Sequence, residues 1–239
     1  MINQMEHPFT WHSLLVSLLP SPLSLLPQHT FTALLVMVLL VGFVYLARRD
    51  LFKSKDPVIP EEGLSLRNLL ELLVELVVGL SDSIIGKKGR RYVALFGSFF
   101  IFILTANLFG LLPGFSPPTD NLNTTLGLGL VSFSAYHYFG LREHGVGYIK
   151  QFLGPMLLLA PFFLVLEGIS HLVRPFSLAL RLFCNMFADH SVVAIFTELT
   201  KVGVPVVFYG FGALVSVIQA FVFTVLSVIY VAMAISHEH

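Results

Sequence analysis

LEGISHLVRPFSLALRLFCNMFADH, residues Leu166 to His190, decides how this chain is folded. It lies within one long apolar region, Phe152 to Phe196, interrupted only near Arg174 and Pro175. If that region forms two separate spans, the C-terminus ends on one side of a membrane. If it forms one long, tilted or broken helix, the C-terminus ends on the other. No cluster of turn residues follows Pro175, which favours a single continuous element. The same stretch raises a second question. A charged side chain in hydrocarbon costs from about 2.5 to more than 10 kcal/mol, yet Arg181 sits in the middle of it.

The surroundings leave little doubt about the solvent. Of 239 residues, 56% are hydrophobic and only 12% are charged. A soluble domain carries about 25% charge, so the expectation is an all-α integral membrane protein. The formal net charge is zero, which gives no reason to expect nucleic-acid binding. A single cysteine, Cys184, excludes an intrachain disulfide framework. Residues 1–30 have a short apolar stretch with no Lys or Arg before it, unlike a cleaved signal peptide. Pro20, Pro22 and Pro27 break that stretch up. It reads as an interfacial arm with Trp11 as an anchor, followed by one membrane domain over residues 31–239.

A membrane span needs roughly 20 apolar residues. Candidates are Phe31 to Ala47, Tyr92 to Leu112, about Leu122 to Leu141, and then the channel-like elements at about 152–198 and 204–236. None of the 14 Lys and Arg residues precedes Arg48. Arg48, Arg49, Lys53, Lys55, Arg67, Lys87, Lys88, Arg90 and Arg91 all fall between the first and second spans. The positive-inside rule places that loop inside and the N-terminus outside. Arg142 and Lys150, after the third span, return to the same side. Within the basic loop, residues 61–86 place Asn68, Glu71, Glu75 and Asp82 at helical spacing among Leu and Val. That pattern predicts an amphipathic helix, on the membrane surface or against a partner.

On a helix of about 100° per residue, Glu167, Arg174 and Arg181 recur every seven residues and drift only about 20° per step. Ser170 lies near their stripe and Asn185 continues it. Asp189 lies about 80° round from Arg181, and His190 falls on roughly the opposite side. Arginine stays charged and relays no proton, whereas histidine titrates near neutral pH. One helix therefore offers a fixed cation on one side and titratable groups on the other. In the last helix Gly212, Gln219 and Tyr230 fall near one line, with Ser216 and Ser227 beside it. Plainer readings exist for most of these residues. Arg174 can snorkel to the interface, Glu167 can be a buried ion-pair member, and Asn185 and Gln219 can be interhelical glue. Arg181 has no acid nearby on its stripe, so its counter-charge is expected on another protein. The sequence shows no Walker A pattern, no metal-ligand cluster and no cofactor motif.

These residues resemble subunit a of the F-type ATP synthases, the membrane-sector proton channel. The pattern is P-x-S-L-x-x-R-L-x-x-N-M, met by Pro175, Ser177, Leu178, Arg181, Leu182, Asn185 and Met186, then Q-A-F at Gln219, Ala220 and Phe221. The weaker ELLVELVVG and NLNTTLGLGL extend the resemblance to about residues 60–239. It implies five transmembrane helices plus the amphipathic surface helix, with the last two spans long and tilted around a ring of c-subunits. It implies peripheral-stalk b subunits and lipid as the other partners, and no cofactor. Protons would travel two half-channels to and from the ring carboxylates, so that their flow drives rotation and ATP synthesis. Arg181 would be the family's essential arginine between the half-channels. Asn185 and Gln219 would lie near it on the outer side, with Asp120, Asn121 or Asn123 as an outer polar site. Glu167, Ser170 and Arg174 would line the inner half-channel.

The chain departs from the family pattern in two places. Cys184 replaces a usual small residue. His190 stands where many bacterial relatives have glutamate, and its usual partner position in the last helix is Gly212. Asp189 and His190 with ordered water would then have to serve as the relay. With no transit pattern at the start, a bacterial inner membrane is favoured over an organelle, the C-terminus being cytoplasmic. The rival reading is an ion-coupled secondary transporter whose Arg181 binds an anionic substrate; it calls for internal repeats and interrupted helices.

Overall fold

Ala160 to Thr200 form one helix of 41 residues. Pro175 lies inside it without ending it. Proline removes one backbone N–H and crowds the preceding turn, but the chain on both sides keeps helical hydrogen bonding. The question posed by residues 166–190 is therefore settled as a single element.

The computed structural model describes residues 26–53, 65–145, 147–148, 160–200 and 203–236. Among them the order is α1 (Gln28–Lys53), α2 (Leu66–Ile84), a 3-10 segment (Lys87–Tyr92), α3 (Val93–Phe109), a short 3-10 turn (Pro118–Asp120), α4 (Leu122–His144), α5 (Ala160–Thr200) and α6 (Gly203–Ile235). The first span begins earlier than its apolar run suggested: Gln28 to Thr30 already belong to α1, which shortens the expected arm. Residues 1–25, with Trp11, and residues 61–64 and 152–159 of the expected elements lie outside the described residues.

Among the described residues, four stretches are long and apolar enough to cross a membrane: Gln28–Arg49, Lys87–Phe109, Pro161–Thr200 and Gly203–Ile235. Helix α4 has 23 residues but a more polar composition. Helix α3 is apolar all round, as a helix covered on several sides should be. Its Phe96, Phe99, Phe100 and Ile103 form the core with Phe223, Val228 and Val231 of α6, Leu178, Leu182 and Met186 of α5, and Tyr136 of α4. The Phe99 and Phe223 rings meet edge to face, 5.5 Å apart. Between apolar helices in lipid, such contacts work through packing rather than exclusion of water. Helices α4 and α5 pack closely at Gly129, where a Cβ would stand 2.7 Å from the Pro175 carbonyl oxygen.

Helix α2 starts at Ser65, whose hydroxyl accepts the Asn68 backbone N–H at 3.1 Å. That satisfies one of the donors every helix start leaves open. Arg67 on this helix is buried and donates to Glu71 one turn later, at 2.7 Å. Asp82 accepts two hydrogen bonds from Arg90, from Nη2 at 2.7 Å and Nε at 3.1 Å, tying α2 to the following 3-10 segment. These bonds from Arg90 hold the Asp82 carboxyl below the usual carboxylate range. The acidic stripe read from the sequence is thus partly spent on arginines of the same chain.

The two ends of the bundle are chemically distinct. Arg91 pairs with Glu143 at 3.2 Å, joining the basic segment to the end of α4. Lys88, Arg91 and Glu143 share a cavity of about 340 Å³ with Met233, Ile235 and Ser236 from the end of α6. The C-terminal end of α6 therefore lies with the basic loop. At the other end Gln28 Nε2 donates to Ser116 Oγ at 3.1 Å, bringing the start of α1 to the α3–α4 loop.

Candidate functional site

Helix α5 runs from the basic end to the opposite one and carries a polar group at each end and one near its middle. At the end away from the basic loop, His190 Nδ1 lies 3.5 Å from Asp120 Oδ2. Asp120 is delivered by the short 3-10 turn, which Pro118 starts with its preset φ. The turn is clamped in place by Thr119, whose hydroxyl donates to Asn107 Oδ1 at 2.7 Å, both residues being fully buried. Asp189, next to His190, turns toward α6. A Cβ on Gly212 would stand 2.6 Å from Asp189 Oδ2 and 2.8 Å from Leu111. The missing side chain at 212 is thus matched by the carboxylate of Asp189, which occupies the room a relay partner on α6 would need.

Asn107, Asp189, His190, Glu198 and Tyr209 line a cavity of about 360 Å³ between α5, α6 and the loop after α3. Asn107 Nδ2 is buried and makes no hydrogen bond within the described protein. The cavity is lined mainly by apolar groups, with these polar side chains and the Asn107 amide set into it. Asn121 also serves the fold. Its side chain caps α4, accepting the Asn123 backbone N–H at 3.0 Å. Asn123 is exposed. Of the three candidates on this segment, the structure brings only Asp120 to His190.

Near the middle of α5, Asn185 Nδ2 donates to Gln219 Oε1 of α6 at 2.7 Å. Gln219 is buried, as are Ser216, Ser227 and Gly212 on the same line of α6. Ser227 meets Ser132 of α4 at 2.9 Å. One helical turn from Asn185, Arg181 is exposed. It makes no hydrogen bond or ion pair with any described residue. The exposed residues nearest its face of the helix are Cys184, Asn185 and Ala188.

At the basic end Glu167 does not meet an arginine. Its Oε1 lies 3.2 Å from His171 Nε2, and its side chain is 46% exposed, so the plainer reading of a buried ion-pair member does not fit. The other ring nitrogen of His171 meets Tyr136 Oη at 2.8 Å. Arg174 stands over the Tyr230 ring at 5.5 Å, and Ser170 is exposed. Thus Glu167 and Arg174 reach one polar cluster, while Ser170 faces outward beside it.

The profile of the family described as ATP synthase A chain matches residues 30–232. The chain belongs to that family. It is 47% identical over 212 residues to ATP synthase subunit a of Bdellovibrio bacteriovorus, covering 88% of this chain and 93% of that one. It is 44% identical over 211 residues to ATP synthase subunit a 1 of Syntrophotalea carbinolica, covering 88% and 87%. A third relative, ATP synthase subunit a 1 of Pelobacter propionicus, is 43% identical over 205 residues.

Sequence reasoning missed four contributors. Asn107 and Thr119 carry no periodicity of their own, and only the fold shows that they pair. Tyr136 and His137 did carry a signal, because adjacent titratable groups inside a span stand out as polar residues in hydrocarbon.

Proposed function

We propose that this chain is the stator half of a rotary proton channel, the membrane subunit that exchanges protons with the carboxylates of a rotating c-ring. The observation that carries this reading is Arg181, an exposed guanidinium in the middle of a long apolar span, paired with no acid among the described residues. Its cost in hydrocarbon makes sense only against an anion from outside the chain. A deprotonated ring carboxylate is such an anion, and a cation beside it favours its charged form. The same fixed charge repels a proton from the direct route between the two ends, so protons must travel with the ring. At 100 mV each proton kept from leaking conserves about 2.3 kcal/mol.

In this reading the Asp120, Asp189 and His190 cluster with its cavity is the outer half-channel, and the Glu167, Ser170 and Arg174 region is the inner one. Helix α4 is the fifth span beside the four apolar ones, with α2 on the inner surface. At 1.5 Å per residue α5 is about 60 Å long, against a hydrocarbon core of about 30 Å, so it lies strongly tilted, and α6 with it. The basic loop and the C-terminus face the cytoplasm of a bacterium, the N-terminus the opposite side. The b subunits of the peripheral stalk are assigned to the remaining surface by the family resemblance. An ion-coupled transporter is the poorer reading, because α5 and α6 run unbroken where that mechanism needs interrupted helices.

The test is ATP-driven proton pumping in membrane vesicles carrying Arg181→Ala in the whole complex. Coupled pumping should be lost. Near-normal pumping would overturn the reading.

A further inference from the structure

Where α4 and α5 meet at the basic end, a chain of titratable side chains runs from a sealed position to an open one. Tyr136 is 1% exposed; the His171 side chain is 13% exposed and that of Glu167 is 46% exposed. Tyr136 Oη, both ring nitrogens of His171 and Glu167 Oε1 are linked in sequence, at 2.8 and 3.2 Å. A second pair lies alongside. Tyr148 Oη is 2.9 Å from His137 Nδ1, and the two imidazole rings are 5.2 Å apart. Among the described residues, Glu167 and Arg174 of its own helix and Tyr136 and His137 of α4 face His171, while Tyr148 reaches His137 and Tyr230 lies beside Tyr136 and Arg174.

The arrangement accepts two protonation states with the same heavy-atom positions. With His171 neutral, its Nε2–H donates to Glu167 and its Nδ1 accepts from the Tyr136 hydroxyl. With the ring protonated, both nitrogens donate, and the tyrosine hydroxyl rotates to accept, since it can play either role. Both of these hydrogen bonds persist in either state. A contact whose only task is to hold α4 to α5 needs one state, and the close approach at Gly129 already joins these helices.

We infer that His171, with Glu167 and Tyr136, is a proton-transfer station at the basic end of α5, feeding the inner half-channel; the inference rests on the channel reading above. In ATP-driven pumping the Glu167–His171 pair takes one proton from water on the inner side, and its net charge goes from −1 to 0. It then passes that proton to water along the α5 face that bears Ser170 and Arg174, and returns to its starting state. Only O–H and N–H bonds form and break, and no redox partner is involved. Synthesis runs the same exchange in reverse.

The test uses the whole synthase in inverted vesicles, whose bath is the inner side. His171→Gln keeps a donor and an acceptor for Tyr136 and Glu167 but cannot hold the proton. The expected result is a fall of at least about tenfold in ATP-driven pumping, with a changed dependence on bath pH. Tyr136→Phe should shift the bath-pH profile while keeping its ring contacts. Assembly is read from the amount of chain retained in the purified complex. Normal pumping with an unchanged profile in His171→Gln would overturn the station. Arg181→Ala, measured beside it, separates the two ideas: its loss of pumping with a normal His171→Gln sinks only the station, whereas normal pumping in Arg181→Ala sinks the channel reading itself.

Discussion

Asn185 and Gln219 link α5 and α6 through one 2.7 Å hydrogen bond, one turn from Arg181, which has no partner among the described residues. The two partners are not equivalent, because Asn185 is exposed and Gln219 is 3% exposed. Removing one partner of a buried hydrogen bond leaves the other with the full cost of its desolvation, about 1–3 kcal/mol. Asn185→Leu strands the buried amide of Gln219, whereas Gln219→Leu strands only an exposed one. Thermal unfolding of the purified complex should therefore show the larger loss for Asn185→Leu. The double variant should recover part of it. Equal losses for the two single variants would show that the bond is not what couples these helices.

Gly212 and Asp189 make a similar argument by volume. A side chain at 212 must displace the Asp189 carboxylate, 2.6 Å from where its Cβ would lie. Gly212→His is therefore expected to cut coupled pumping by at least about tenfold, even though it supplies a titratable group at the position the family resemblance marks as the relay partner. Adding Asp189→Gly makes the room and should return most of the activity. A Gly212→His variant that pumps normally by itself would contradict the packing.

His190 and Asp120 form an ion pair only while His190 is protonated, at 3.5 Å. Their effects should be coupled. His190→Ala is expected to slow pumping and shift its optimum with the pH of the vesicle lumen, the outer side. Asp120→Asn added to His190→Ala should cost little more, since the partner is already gone. Fully additive losses in this cycle would mean that the two act independently.

How much of this was legible beforehand depended on the kind of signal. The continuity of α5 was readable because a proline without following turn residues does not end a helix in apolar surroundings. Arg181 was readable because a charge in hydrocarbon stands out against its neighbours. The partners were not readable. Periodicity places Asp189 on a face, but that it fills the space over Gly212 depends on how closely α6 approaches. Asn121 looked like a channel group because it is polar at the end of a span, while its side chain is engaged in capping α4. Glu167 was matched to the arginines by seven-residue spacing, yet His171 lies one turn away on its own helix and is the nearer partner. Spacing along one helix says nothing about Tyr136, which a second helix supplies.

The Asp82 tie to Arg90 gives a pH-dependent prediction on the surface of the protein. Hydrogen bonding to Arg90 lowers the carboxyl below its ordinary value. A group depressed in the folded state stabilises above its unfolded value, about pH 3.9, and loses that contribution as pH falls through the folded value. Asp82→Asn should therefore lower the unfolding temperature of the complex by the same small amount at pH 5 and pH 8. The difference from the parent should close only in stronger acid. High salt should also reduce it, because exposed pairs are screened. A difference that changes between pH 5 and pH 8 would assign the effect to another group.

Gly129 supplies the test of the α4–α5 contact on which the inner cluster depends. Its missing side chain lets α4 come within reach of the Pro175 carbonyl, 2.7 Å from a Cβ, with Ala179 at 3.4 Å on the same surface. The nearest atom is backbone, so it cannot swing aside as a flexible side chain would. Gly129→Val must push the helices apart, and overpacking of this kind costs about 1–3 kcal/mol. It would also lengthen the path between Tyr136, two turns further along α4, and His171, one turn before Pro175. The expected result is a lower unfolding temperature together with a changed dependence of pumping on inner pH. Gly127, where a Cβ meets nothing within 4 Å, is the control. Gly127→Ala should leave both readouts in place, and a loss there equal to that of Gly129→Val would show that helix propensity, not interhelical distance, governs the effect.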